Sequence, residues 1–146
     1  MLEMGNKDRA ATELKAALAA AGSNRALLAS IGRLLGPAGA YADCVSAFDK
    51  AISAGDDPEL RVRRGVCRHS LKDEAGAKSD YEAALKLNPK YAPGHYYLGE
   101  SLRAAGDSAQ AIKEFEAAHS LDPASPLGKK SKEQADATRK GGKAPK

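Results

Sequence analysis

His95 to Pro123 reads HYYLGESLRAAGDSAQAIKEFEAAHSLDP. On either side of Gly106-Asp107 the apolar residues recur at three and four: Leu98, Gly99 and Leu102 before the break, Ala111, Phe115 and Ala118 after it. That is the spacing of an amphipathic helix. Gly106 is free to take the left-handed conformation that ends one helix, and Asp107 can accept hydrogen bonds from the open amides of the next. The stretch therefore predicts a tight helical hairpin, Tyr96 to Ala105 followed by Ser108 to Leu121, closed by Asp122-Pro123. Small residues at the contact let two helix axes approach, and Phe115 fills the space beside them. This is a packing pattern with no catalytic group in it.

The same pattern recurs upstream. Gly32, Gly65 and Gly99 are separated by 33 and 34 residues, Leu14, Phe48, Tyr81 and Phe115 by 34, 33 and 34, and Pro89 and Pro123 by 34. Ala17, Ala51, Ala84 and Ala118 keep the same steps. A fixed period of this size marks stacked helical units, each too small to bury its apolar stripe alone. Breaks at Gly36-Pro37-Ala38-Gly39 and Lys72-Asp73 split the earlier periods, which end at Gly55-Asp56 and Asn88-Pro89. Asp57-Pro58-Glu59 is a strong helix start, with a capping carboxylate, Pro at the first position and an acid in the first turn.

The 146-residue chain is 42% apolar and 29% charged, inside the globular range, with 5% aromatic residues and no Trp. An interior of small and aliphatic side chains, rich in Ala, favours helix on helix. No stretch reaches the roughly 20 consecutive apolar residues of a membrane span. Met1 to Asp8 lacks a basic segment followed by an apolar run, so a soluble, cytoplasmic protein is expected. Cys44 and Cys67 lack the paired spacing of a metal knuckle or redox motif. They are expected as free, partly buried thiols, with a disulfide or a reactive thiol as the alternative. His69, His95 and His119 are too dispersed to suggest a metal site, and no phosphate loop, nucleophile elbow or dinucleotide fingerprint is present. No enzyme, metal or cofactor is expected.

His95-x-x-Leu98-Gly99-x-x-Leu102, Ala111-x-x-x-Phe115 and Pro123 resemble the tetratricopeptide repeat family. Its pattern runs aromatic, two residues, Leu-Gly, two residues, aromatic, then Ala, three residues, aromatic, and finally Pro. Arg61-x-x-Arg64-Gly65-x-x-Arg68, Ala77-x-x-x-Tyr81 and Pro89 match the second half well but put Arg where apolar residues are common. Leu28-x-x-Ile31-Gly32-x-x-Leu35 and Cys44-x-x-x-Phe48 match with Asp56 in the place of Pro. The resemblance covers about residues 5 to 125 and implies an all-α solenoid of helical hairpins, a right-handed superhelix. Its repeats are expected at 25–57, 58–91 and 92–125, preceded at 1–24 by the second helix of a repeat whose first is absent. That half repeat is read as a truncation point in a longer array, with a native cap as the alternative.

The resemblance further implies a non-catalytic interaction module, a scaffold or adaptor in complex assembly, holding a partner segment on the concave side lined by the first helix of each repeat. The face beside the packing stripe assigns to that groove Arg33 from the first repeat and Val62, Arg63, Val66 and His69 from the second. Tyr96, Tyr97, Glu100 and Arg103 come from the third. Tyr and Arg are frequent interface anchors, and a protein or peptide segment with aromatic and acidic residues fits them. One subclass of the family grips the C-terminal carboxylate of chaperones with Lys, Asn and Arg on these faces. Here the corresponding positions hold Ala29, Arg33, Arg63, Pro93 and Tyr97, which disfavours a chaperone tail. Arg64 is expected to pair with Asp80 inside its hairpin, because a half-buried guanidinium needs a partner.

Ser125-Pro126 opens one more helix, 126–140, in which Leu127, Ala135 and Ala137 alone offer apolar contact, so a weak or frayed cap is expected. Residues 141–146 are expected to be disordered. Charge concentrates here: residues 129–146 carry seven Lys and Arg against Glu133 and Asp136, so the rest of the chain is near neutral despite a net charge of +4. These cations offer an alternative function, weak salt-dependent attraction to nucleic acid or an anionic surface, although no aromatic residue is interleaved to stack on bases. Self-association through the uncovered first helix is a third reading.

Overall fold

The helix starts after Asn24, Asp57, Asp73 and Asp107 each carry a side-chain cap. In the computed structural model, which describes residues 2–141, Gly106 takes φ +90° and Asp107 accepts the Gln110 amide at 3.3 Å. Asn24 accepts the Leu27 amide at 3.1 Å, and Asp57, followed by Pro58, accepts those of Glu59 and Leu60 at 2.8 and 3.4 Å. Lys72 stands at φ +67°, a conformation that glycine takes more readily, and Asp73 after it accepts the Gly76 amide at 3.0 Å. Among the described residues the result is eight helices: α1 (Leu2–Ala20), α2 (Arg25–Leu35), α3 (Tyr41–Ala54), α4 (Pro58–Ser70), α5 (Glu74–Leu87), α6 (Ala92–Ala104), α7 (Ser108–Leu121) and α8 (Pro126–Gly141). Among the described residues there is no strand, and no helix is long and apolar enough to cross a membrane.

The chain forms two compact units, Met1–Ala77 and Lys78–Lys146, with the boundary inside α5. In the first, α1 packs on α2, α2 on α3 and α3 on α4. Phe48 of α3 is 1% exposed and fills the space over Gly32 of α2, where an added Cβ would stand 2.7 Å from the ring. Leu28, Ile31, Leu35, Ala47, Ala51 and Leu60 close this core, joined by Leu18 of α1 and by Ala21 just after it. Lys15 of α1 reaches Asp43 of α3 at 3.4 Å. Arg64 of α4 donates to Asp49 of α3 at 2.8 Å.

The cysteines depart from expectation. Cys44 of α3 and Cys67 of α4 are joined in a disulfide, with Cα atoms 6.2 Å apart, and both are buried beside Gly36. The 23 residues between them conceal the pairing in the sequence, and only the stacking of α3 on α4 brings them together.

In the second unit α6 packs on α7, and α8 lies against both. Phe115 is fully buried against Gly99, whose added Cβ would meet the ring at 2.8 Å. Instead of a frayed cap, α8 is a 16-residue helix that buries Ser131, Ala135 and Thr138, while Ala137 is exposed. The two hydroxyls donate back to the Leu127 and Gln134 carbonyls at 2.7 Å each, so small polar side chains enter the contact with their hydrogen bonds made. His119 of α7 faces the Gly128 carbonyl at 2.9 Å, and Arg139 pairs with Glu116 of α7. Gly141, expected to begin a disordered tail, is the last residue of α8; the rest of that tail, 142–146, lies outside the described residues.

Candidate partner-binding face

The cap that starts α4 sets a carboxylate, Glu59, in its first turn, and Arg33 stands in the last turn of α2. Glu59 Oε1 accepts hydrogen bonds from Arg33 Nη2 and Nε at 3.0 and 3.3 Å and from Arg63 Nε at 2.7 Å. Two guanidiniums thus share one carboxylate oxygen. The Arg63 bond foremost, and then that of Arg33, hold the Glu59 carboxyl below its ordinary pKa, against the opposing effect of burial. The three side chains remain open to solvent, Arg33 and Glu59 at 39% and Arg63 at 44% exposure. At the other end of α2, Arg25 donates to the Gly55 carbonyl at 2.7 Å and lies 3.5 Å from Asp57. A cleft of about 250 Å³ lies among these groups, lined also by Ala26, Ala29, Ser30 and Leu60.

The other expected groove residues divide between surface and interior. Val62 is 4% exposed and belongs to the interior of its unit, Val66 is half-buried, and His69 is exposed with Nδ1 2.9 Å from Glu74. In the second unit Tyr97 and Glu100 are half-buried, whereas Tyr96 and Arg103 are covered, at 2% and 9% exposure. Tyr96 donates to Glu100 at 2.7 Å, and the Lys130 ammonium of α8 stands 5.2 Å from its ring centre. Burial, then the Glu100 bond, push the ionisation of this phenol upward. Arg103 donates to Gln134 of α8 and lies 5.6 Å from the Phe115 ring centre, and its Nε has no hydrogen-bond partner. Tyr97 stacks on Tyr81 at 5.6 Å and meets Tyr96 edge-on at 5.2 Å.

Val62, Tyr96 and Arg103 are therefore buried where an exposed face was expected. Helical periodicity assigns a face, but it does not say which neighbour covers that face, and α8 covers α6 here. Arg25, Lys130 and Gln134 were missed. For Arg25 the available signal was the acid-rich start of the next first helix, Asp56-Asp57-Pro58-Glu59, one period downstream. Lys130 and Gln134 stand four apart on α8, one helical turn, which is the spacing of a shared face. Among the described residues no three His, Cys, Asp or Glu side chains gather as a metal site.

Models of the tetratricopeptide repeat match residues 58–91 and 92–125, which are α4 with α5 and α6 with α7. The chain is a tetratricopeptide repeat protein. This repeat protein is 29% identical over 100 residues, 67% of its length, to the heat shock protein STI1 of Saccharomyces cerevisiae, and it spans 17% of the length of that relative. Among solved structures it resembles the first tetratricopeptide domain of Spaghetti (RPAP3) bound to the HSP90 peptide SRMEEVD. The TM-score is 0.71 at 22% identity, over 81% of this chain and 98% of that one. It also resembles the Yersinia enterocolitica type III secretion chaperone SycD in complex with a peptide of the translocator YopD. There the TM-score is 0.71 at 20% identity, over 77% and 89% of the two chains. At these identities the structural likeness establishes the shared helical-repeat fold.

Proposed function

We propose that this repeat protein is a non-catalytic interaction module that holds an extended, acidic segment of a partner protein against α2 and α4. The observation that carries the reading is the convergence of Arg33 and Arg63 on the exposed face of α2 and α4, beside a cleft lined by small side chains. Arg presents a planar fork of donors that matches a carboxylate, and small residues beneath it leave room for a peptide backbone. Arg33, Arg63, Val66 and His69 are the contacts.

The relatives support a peptide as the occupant, since the RPAP3 domain and SycD are each described with one bound. They also withdraw the expectation against chaperone tails. SRMEEVD carries three acidic side chains, and a face with two arginines complements it even though Ala29, Arg33, Arg63, Pro93 and Tyr97 depart from the Lys, Asn and Arg pattern. Fluorescence anisotropy with labelled SRMEEVD and with a scrambled peptide of the same composition tests the reading. Binding that weakens with salt and disappears in the Arg33→Glu, Arg63→Glu protein is expected. Failure of both peptides to bind, or binding indifferent to the double charge reversal, contradicts it.

A further inference from the structure

The two arginines of the α2–α4 face already hold an anion, and it belongs to the protein. Arg63 lies one turn from Glu59 on the same helix, whereas Arg33 reaches it from α2, 26 residues away in the chain, and both donate to the same oxygen. Two positive charges against one negative leave the fork with a residual charge of about +1, and the neighbouring Arg25–Asp57 pair is neutral by itself. Glu59 is open to solvent, at 39% exposure. Ion pairs this exposed contribute little to stability, and a glutamate side chain has the freedom to swing into water. Its backbone is fixed separately, through the hydrogen bond that its N–H donates to the Asp57 carboxylate at 2.8 Å, so the Glu59 carboxylate can leave the fork without unwinding the start of α4.

We propose that Glu59 is a built-in occupant of the Arg33–Arg63 fork, and that an acidic side chain of a partner segment, a carboxylate or a phosphorylated serine, binds by displacing it. This rests on the reading of the face as a peptide site, and it names the group recognised there and the internal group that competes for the same donors. A dianionic phosphate, or two adjacent carboxylates, neutralises both guanidiniums once Glu59 has moved out, which a single carboxylate does not. The cleft beside the fork, lined by Ala26, Ala29 and Leu60, takes the residue next to the acidic one. A neutral segment gains nothing from opening the fork, so the internal carboxylate also sets the selectivity of the face.

Calorimetric titration of the full chain tests this with three peptides, each acetylated at its N-terminus and amidated at its C-terminus so that no terminal charge is read. One carries Glu-Glu at the centre of a Gly-Ala-Ser background, the second a phosphoserine there, and the third Gln-Gln. Glu59→Gln keeps the Asp57 cap and removes the competing charge. It is expected to tighten the first two peptides by about threefold to fivefold, the upper end of what one exposed ion pair contributes, and to leave the third unchanged. Arg33→Gln with Arg63→Gln is expected to abolish the gain. Tightening of the phosphopeptide alone assigns the displaced contact to phosphate, and tightening of both assigns it to acidic groups in general. Binding of the acidic peptides through Arg33 and Arg63 with equal or weaker affinity in Glu59→Gln overturns the displacement while sparing the peptide site. Absence of binding to wild type and to both variants overturns the two together.

Discussion

His95 stands where the family pattern puts its first aromatic residue, and its ring does more than pack. Nδ1 lies 2.6 Å from the Glu114 carboxylate and Nε2 2.7 Å from the Pro89 carbonyl. Both nitrogens face acceptors, so both contacts are hydrogen bonds only when the ring carries two protons. The Glu114 bond above all raises the His95 pKa over its ordinary value, with burial opposing and the Pro89 bond assisting. A value raised by folding gives stability that is complete below the unfolded pKa of about 6.5 and is lost as pH rises through the folded value. Thermal melts between about pH 5.5 and about pH 9 should therefore lose more stability in wild type than in His95→Gln. Parallel loss in the two proteins would remove His95 from the account. Gly99 and Phe115 were legible in the sequence because both keep the repeat period. The partnership of His95 with Glu114 was not, because 19 residues separate them until α7 folds back on α6.

Between elements, the strongest tie outside the helices is the disulfide from α3 to α4. Each cysteine sits at a buried position of its own helix, so periodicity reads both as packed thiols, and only the order of stacking makes them neighbours. A cross-link closing a loop of this size is worth about 3 kcal/mol through the entropy of the unfolded chain. Dithiothreitol should lower the melting temperature of wild type and leave that of the Cys44→Ala, Cys67→Ala protein unchanged. Identical melts with and without reductant, or two alkylatable thiols in the unfolded but unreduced protein, would contradict the pairing. The helix α8 was under-read for a different reason. Ser131, Ala135 and Thr138 keep the four-and-three spacing of a buried face, but two of them are polar, and the back-bonds that satisfy their hydroxyls do not appear in a hydropathy pattern.

For the molecule as a whole, the helical order was legible because small-residue contacts, ring positions and caps all keep one period, and each of them fixes a helix start, a stop or a face. The partner face was legible only in part. Arg33 and Arg63 are surface residues that converge, while Tyr96 and Arg103 look equally exposed by counting and are covered by α8. The central claim is that the first helices of the first unit carry the binding surface. Hydrogen–deuterium exchange of the intact chain, read by mass spectrometry with and without saturating SRMEEVD, tests it most directly. Added protection in residues 25–35 and 58–70, with α7 unchanged, is the predicted result. Protection confined to α8 and the lysine-rich end, or none at saturation, would contradict it.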